Sequence, residues 1–237
     1  MASLTDLLKR NFKDYMIKRE FLDGRIVIYN ADCVKVMSQI VRGGVDLVLT
    51  DPPYGINYGA QLKGKGNGSG GADKHGWKDY GCPDWDAAPP DLKIFDELKR
   101  ISKNQIIWGG NYFSNYLSPS QCWLIWDKGQ RDFSLADGEM AWTSFNKAMR
   151  IFTYARSKAL QDGKIHPTQK PITLMNWCLL NNSKEGDLIF DGFLGSGTTA
   201  ISCIRTKRRL IGCELDPVYF EKMCERIEVE LRQGNLF

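Results

Sequence analysis

Asp51-Pro52-Pro53-Tyr54 puts an acid, two prolines and an aromatic ring in four consecutive residues, directly after the hydrophobic run Val45–Thr50. The prolines hold the backbone extended and remove two N–H donors. The carbonyls of Asp51 and Pro52 are therefore left to point outward. The segment offers an acceptor side chain, a rigid acceptor carbonyl and a π-surface. An exocyclic amine on a purine or pyrimidine calls for this set if it is to act as a nucleophile. Its lone pair is delocalised into the ring. Two acceptors on its N–H bonds favour a pyramidal nitrogen and stabilise the positive charge that develops there. The aromatic ring replaces the stacking that a flipped-out base has lost. The plainer alternative is a Pro-Pro turn with a surface Asp, and the hydrophobic strand immediately before the acid speaks against it.

A second constellation lies near the C-terminus. The run Asp187–Asp191 leads into Gly192, Phe193, Leu194, Gly195, Ser196, Gly197 and Thr198, and an apolar helical stretch follows. A strand, a glycine-rich turn and a helix N-terminus together make a nucleotide-type binding geometry. No Lys follows the glycines, which excludes a Walker phosphate loop. The spacing is not Gly-x-Gly-x-x-Gly, which makes a nicotinamide-dependent oxidoreductase remote. The next strand, Arg209–Glu214, ends in an acid, with Asp216 two residues later. An acid about twenty residues beyond such glycines can hold ribose hydroxyls.

These groups need a scaffold that brings strand ends together. Apolar, β-branched runs read as strands at Arg25–Asp32, Val45–Thr50, Asn104–Gly109, Cys122–Asp127, Ala148–Tyr154, Asp187–Asp191 and Arg209–Glu214. Several are continuously hydrophobic, as in a parallel sheet covered on both faces. Helical patterns fall at Asp91–Ser102, Ile172–Asn181, Gly197–Thr206 and Pro217–Arg232. The alternation predicts a doubly wound, mostly parallel, seven-stranded α/β sheet of Rossmann-like type. One domain over 1–237 is expected, with a catalytic half at 20–155 and a cofactor-binding half at 156–237. Gly55–Pro90, rich in Gly, Lys and Asp, reads as a long functional loop.

Composition narrows the class further. The 237 residues carry a net charge of +4, too mild to establish nucleic-acid binding by itself. Six basic residues between Lys147 and Lys170 face one acid, and Arg205, Lys207, Arg208 and Arg209 form a second cluster. Such clusters suit phosphates or a solvated surface equally. Seven cysteines without C-x-x-C spacing, and only two histidines, argue against a disulfide framework and against a metal site. No apolar run approaches the ~18 residues of a membrane span, and Met1 to Glu20 lacks a signal-peptide pattern. A cytoplasmic location is expected.

At Asp51–Tyr54 the chain resembles the DNA amino-methyltransferases, which carry Asp, Asn or Ser before Pro-Pro-Tyr, Phe or Trp. The Asp form is usual for adenine-N6 enzymes and the Ser form for cytosine-N4 enzymes. Asp191–Thr198 is similar to the family's Asp-Pro-Phe-x-Gly-Ser-Gly-Thr cofactor motif, with Gly192 where the family usually has Pro. His166-Pro-Thr-Gln-Lys170-Pro171 looks like its His-Pro-Thr-Gln-Lys-Pro segment, although Pro171 near a helix start is also ordinary helix chemistry. The acid–aromatic motif precedes the glycine turn by about 140 residues, which is the permuted order of the beta class. The resemblance spans roughly Arg25 to Arg232.

The resemblance implies S-adenosyl-L-methionine as cofactor and N6 of adenine in double-stranded DNA as target, in a bacterial or phage protein. Cytosine-N4 methylation by the same machinery is the nearest alternative, and a non-catalytic DNA-binding module on the same scaffold a more distant one. Asp51, Pro52, Pro53 and Tyr54 would be catalytic. Asp32 and Cys33 would lie beside the cofactor adenine, although Asp32 also suits a helix N-cap. His166 would pack near the methionine end. Lys170 would take the methionine carboxylate or a nearby acid. Glu214, with Asp216, would hold the ribose. Only eleven residues separate Tyr154 from His166, too few for a target-recognition domain. DNA contact is therefore expected from the long loop (Lys63, Lys65, Lys74, Trp77, Lys78) and from Arg156 and Lys158, with little sequence read. A homodimer is left open, and no metal or membrane partner is expected.

Overall fold

Hydrophobic strands flanked by amphipathic helices must stack with their apolar faces inward. The computed structural model describes residues 17–57, 86, 88–131, 136–159 and 169–234. Nine strands form one sheet in the order β1-β2-β9-β8-β3-β4-β6-β5-β7. They are β1 (Ile17–Phe21), β2 (Ile26–Asn30), β3 (Val45–Thr50), β4 (Ser102–Trp108), β5 (Trp123–Asp127), β6 (Gly138–Thr143), β7 (Arg150–Thr153), β8 (Leu188–Asp191) and β9 (Arg209–Glu214). The run from β2 through β9, β8 and β3 to β4 is parallel.

The seven strands read from the sequence are all present, and β1 and β6 join them. Both escape a hydrophobic-run reading for physical reasons. β1 is an edge strand, Ile-Lys-Arg-Glu-Phe, exposed along most of its length. β6 opens Gly-Glu-Met and buries only its last three residues. It runs antiparallel to both β4 and β5. Its first residues therefore emerge at the edge where the parallel strands end.

The described residues hold six α-helices: α1 (Cys33–Met37), α2 (Leu92–Ile101), α3 (Arg156–Ala159), α4 (Ile172–Asn182), α5 (Thr198–Arg205) and α6 (Pro217–Gly234). One face packs Val36, Met37, Phe95, Leu98 and Ile101 of α1 and α2 against Val48, Ile107 and Phe190. The other packs Leu174, Cys178, Ala200, Ile201 and Met223 of α4, α5 and α6 against Leu47, Ile106 and Ile189. Each fully buried branched side chain contributes about 1.5–3 kcal/mol, so these stripes hold the helices in place. The six described cysteines are free and buried, as small apolar side chains are.

The chain leaves β3 towards β4 on one side and β8 towards β9 on the other. Adjacent strands that depart in opposite directions open a crevice at their carboxyl ends. Asp51 follows β3 there, and Asp191 closes β8.

Candidate active site

Two strand ends meet at the crevice. Thr50 donates to Asp191 Oδ1 at 2.7 Å. On the β3 side, Tyr54 donates its hydroxyl to Asp51 Oδ1 at 2.7 Å. Lys170 donates to Asp51 Oδ2 at 2.6 Å and to Tyr54 Oη at 3.1 Å. Lys170 also pairs with Glu139 Oε2 at 2.9 Å, and Lys128 pairs with the other Glu139 oxygen at 2.7 Å. The ammonium of Lys170, only 4% exposed, thus sits between two carboxylates.

The charges in this cluster follow from burial and pairing. Burial pushes the Asp51 carboxyl up, Lys170 opposes the rise and Glu139 adds to it. Burial would push Glu139 up as well, but Lys170 and Lys128 outweigh it and hold the carboxyl at about 2. Lys170 is raised by its two carboxylates against the effect of its burial. Burial raises the Tyr54 phenol, so it stays a neutral donor.

The aromatic ring is fixed by its surroundings. Tyr54 stacks on Tyr112 with centroids 4.8 Å apart, and meets Phe113 edge-on. Gly109, at φ +70, gives it room: a Cβ there would lie 2.1 Å from the Tyr54 ring. Behind the site, the indole N–H of Trp108 is fully buried and finds no acceptor among the described residues, and Lys170 lies 5.7 Å from the Trp108 ring. None of the described residues donates to the Pro52 carbonyl. Pro52 itself is buried and Pro53 partly so. Asp86 anchors the turn that follows, accepting from Gly55 N at 2.8 Å.

The β8 side is built differently. Asp191 accepts from Phe193 N at 3.0 Å as well as from Thr50. Gly195 N and Asp216 N donate to the two oxygens of Glu214, at 2.7 and 2.9 Å. Gly197, at φ +76, turns the chain into α5, and a Cβ there would strike Met223. Ser196 and Thr198 are buried, with their hydroxyls 3.1 Å apart. Arg226 reaches from α6 to Ser196 O at 2.9 Å. No lysine or arginine neutralises Asp191 or Glu214 by direct contact among the described residues. Burial pushes Asp191 up to about 6 and Glu214 up to about 7. Gly192 has a local reason: a Cβ there would sit 3.1 Å from the Cys33 Cβ, so Cys33 takes up the space.

The sequence-derived candidates therefore sort themselves. Asp51, Tyr54 and Lys170 come together, and Lys170 lies on acids. Asp191, Phe193 and Gly195 lie on one turn, and Glu214 at the end of β9 accepts from it. Asp32 caps α1, accepting from Val34 N at 2.8 Å, and Asp216 caps α6 through Val218 N and Tyr219 N. Lys158 is exposed in α3, where Arg156 also lies. His166, Lys63, Lys65, Lys74, Trp77 and Lys78 lie outside the described residues. Glu139, Lys128, Trp108, Tyr112 and Asp86 were not found from the sequence. The only available signal for Glu139 was an acid inside a strand with half an apolar pattern. Among the described residues no cluster of His, Cys, Asp and Glu could hold a metal ion, and no helix is long and apolar enough to cross a membrane.

Comparison with known proteins gives a consistent answer. A family model described as DNA methylase matches residues 93–225, a stretch that contains Lys170 and the glycine turn but begins after Asp51. The chain is 26% identical over 254 residues to the type II methyltransferase M2.DpnII of Streptococcus pneumoniae, covering 91% of this chain and 94% of that one. Among solved structures, the M1.HpyAVI–SAM complex superposes with a TM-score of 0.55 at 19% identity, covering 85% of this chain and 99% of that one. The cytosine-N4-specific PvuII DNA methyltransferase gives a TM-score of 0.55 at 14% identity, covering 84% and 85%.

Proposed function

The chain belongs to the DNA methylase family, and from that premise we propose that it transfers a methyl group from S-adenosyl-L-methionine to N6 of adenine in double-stranded DNA. The observation that carries the reading is the Asp51 carboxylate beside Tyr54 at the end of β3, one strand away from the glycine turn. When bound, the cofactor supplies the methyl on a sulfonium sulfur.

The residues present fit that cofactor. Glu214 is held in place by two backbone N–H groups, and a carboxylate oxygen keeps lone pairs for a ribose hydroxyl. Asp191 and Glu214 meet no cation among the described residues, which suits a ligand that brings positive charge and hydroxyls. Gly192, Gly195 and Gly197 carry no side chains, which lets a cofactor approach the backbone of the turn. Asp32 and Cys33 border the turn, where the adenine end would lie. His166 is assigned to the methionine end by resemblance, and Asp216 stands with Glu214 at the ribose.

On the β3 side, Tyr54 stacks the flipped base, and Asp51 with the Pro52 carbonyl accepts from its two amino N–H bonds. With the cofactor bound, the amino nitrogen would take the methyl group while the C–S electron pair left with sulfur. One N–H proton then passes to water. Asp51 stabilises the nitrogen while it is cationic, and holding the partners in line supplies the rest. No side-chain nucleophile is needed.

Labelled methyl groups from the cofactor, followed into DNA that is then digested to nucleosides, test this directly. N6-methyladenine is expected. N4-methylcytosine would keep the mechanism and overturn the base, and no label in DNA would overturn the function. The short span between Tyr154 and His166 further supports recognition of a short site or little sequence. Mapping methylated positions on random DNA checks this, and a unique site of about five or six base pairs would refute it. A cytoplasmic protein with double-stranded DNA as its substrate completes the reading.

A further inference from the structure

A lysine at the centre of this site is unexpected on electrostatic grounds. Positive charge develops on the base nitrogen as the methyl arrives, and a cation next to the acceptor carboxylate opposes that development. Lys170 nevertheless lies 2.6 Å from Asp51. The group that changes the balance is Glu139, which takes the same ammonium at 2.9 Å from its other side. Lys128 meets the other Glu139 oxygen, so Asp51, Glu139, Lys170 and Lys128 together are neutral, and all four are largely shielded from solvent. Without Glu139 the remaining groups would carry one net positive charge beside the amine, and the Asp51 carboxylate would face Lys170 alone.

Building on the methyl-transfer reading above, we propose that Glu139 is a positioning residue that shares the Lys170 ammonium with Asp51, so that Asp51 faces the target amine with its negative charge only partly neutralised. The placement follows from topology. β6 runs antiparallel to β4, so its second residue reaches the strand-end edge where Asp51 lies. Lys128, immediately after β5, holds the far Glu139 oxygen at 2.7 Å and keeps the carboxylate oriented towards Lys170. The groups facing the cluster are Tyr54, which donates to Asp51, Lys128, which donates to Glu139, and Asp191, one strand away. In this arrangement Lys170 orients Asp51 and Glu139 limits the neutralisation which that orientation entails.

The test compares single-turnover methyl transfer by the wild type, Glu139→Gln and Glu139→Asp, using labelled cofactor and DNA. Glu139→Gln keeps the shape and removes the charge. Its transfer rate should fall about tenfold, with the KM for DNA unchanged, because the amine is neutral in the ground state. The acid limb of its rate–pH profile should move to lower pH, because a neighbouring carboxylate that opposes Asp51 ionisation is gone. Glu139→Asp should recover most of the rate. Binding of S-adenosylhomocysteine, uncharged at sulfur, should be unchanged by calorimetry, which also reports a folded site. Equal losses in the Gln and Asp variants, or a Gln variant with the wild-type rate, would overturn the role of charge. If Glu139→Gln does not fold, Lys128→Met reads the same cluster from the other side. Its rate should rise a few-fold, as Glu139 draws Lys170 further from Asp51, and a tenfold loss would overturn the proposal. Wild-type protein that transfers no methyl to DNA sinks the functional reading itself, a result distinct from all of these.

Discussion

The two sides of the crevice hold their carboxylates in opposite ways. On the β3 side, Asp51 and Glu139 are paired with lysines at 2.6–2.9 Å. On the β8 side, Asp191 and Glu214 are held by hydroxyl and backbone N–H donors alone. Removing a carboxylate from water is costly unless its charge is met. The first side meets it within the protein, and on the proposed reading the second leaves it to be met by the cofactor. The difference separates the two jobs: the β3 side must keep a fixed field for a charge that appears only in the transition state, while the β8 side must gain most when a cationic, hydroxyl-bearing cofactor arrives.

The sharpest way to break this comparison is Asp51→Ala. Turnover should fall by about two to three orders of magnitude, as for loss of an electrostatic contact to a developing charge. Cofactor affinity, measured by calorimetry, should be largely kept. Loss of cofactor binding instead would mean that the two sides are misassigned. The mirror experiment is Glu214→Gln. It removes a charged acceptor worth about 1.5–3 kcal/mol, so cofactor affinity should fall roughly 10- to 100-fold. The rate at saturating cofactor should stay within about threefold. A large loss of rate with affinity intact would move Glu214 to the chemical side.

How far this contrast is legible in the sequence depends on where its residues sit in the chain. Asp51 and Tyr54 are three residues apart, and the glycine turn is contiguous, so local pattern and strand ends were enough to find both. Their meeting at the β3–β8 crevice follows from the alternation of strands and helices. Glu139 and Lys128 were invisible for the opposite reason. They matter only because antiparallel β6 doubles back, and Gly-Glu-Met shows no hydrophobic run at its start. Lys170 was legible as a functional lysine, while its division between two acids was not, because one of those acids lay on the unrecognised strand. Asp32 and Asp216 teach a similar lesson: an acid after a strand can cap the next helix, and both do.

A backbone test sharpens the claim that the β3 side is preformed. Gly109 allows the Tyr54 ring to lie against the chain, and its φ of +70 disfavours any side chain. Gly109→Ala should cost about 1–3 kcal/mol of stability through strain alone, read as a lower melting temperature. It should also reduce turnover, because Tyr54 must move. A drop in melting temperature with full activity would show that the stacking of Tyr54 on Tyr112 is dispensable.

The smallest effect tests the β8 side through pH. Asp191 and Glu214 are pushed by burial up to about 6 and about 7, above the roughly 4 of an exposed carboxyl. The folded protein therefore keeps protons that the unfolded chain has already released. Stability must fall as pH rises from about 4 towards 7, and the full penalty is present above that range. A cofactor that brings positive charge and hydroxyls to these carboxylates relieves the penalty only where they are ionised. The rise in melting temperature on adding S-adenosyl-L-methionine should therefore be a few degrees larger at pH 8 than at pH 5.5. Asp51 shifts in the same direction but already lies against Lys170, so its neutralisation does not wait for the cofactor, and Asp51→Asn should leave the pH dependence of the thermal shift intact. Should Asp51→Asn abolish that dependence, the carboxylates that respond to the cofactor would be those of the β3 side, and the contrast between the two strand ends would be reversed.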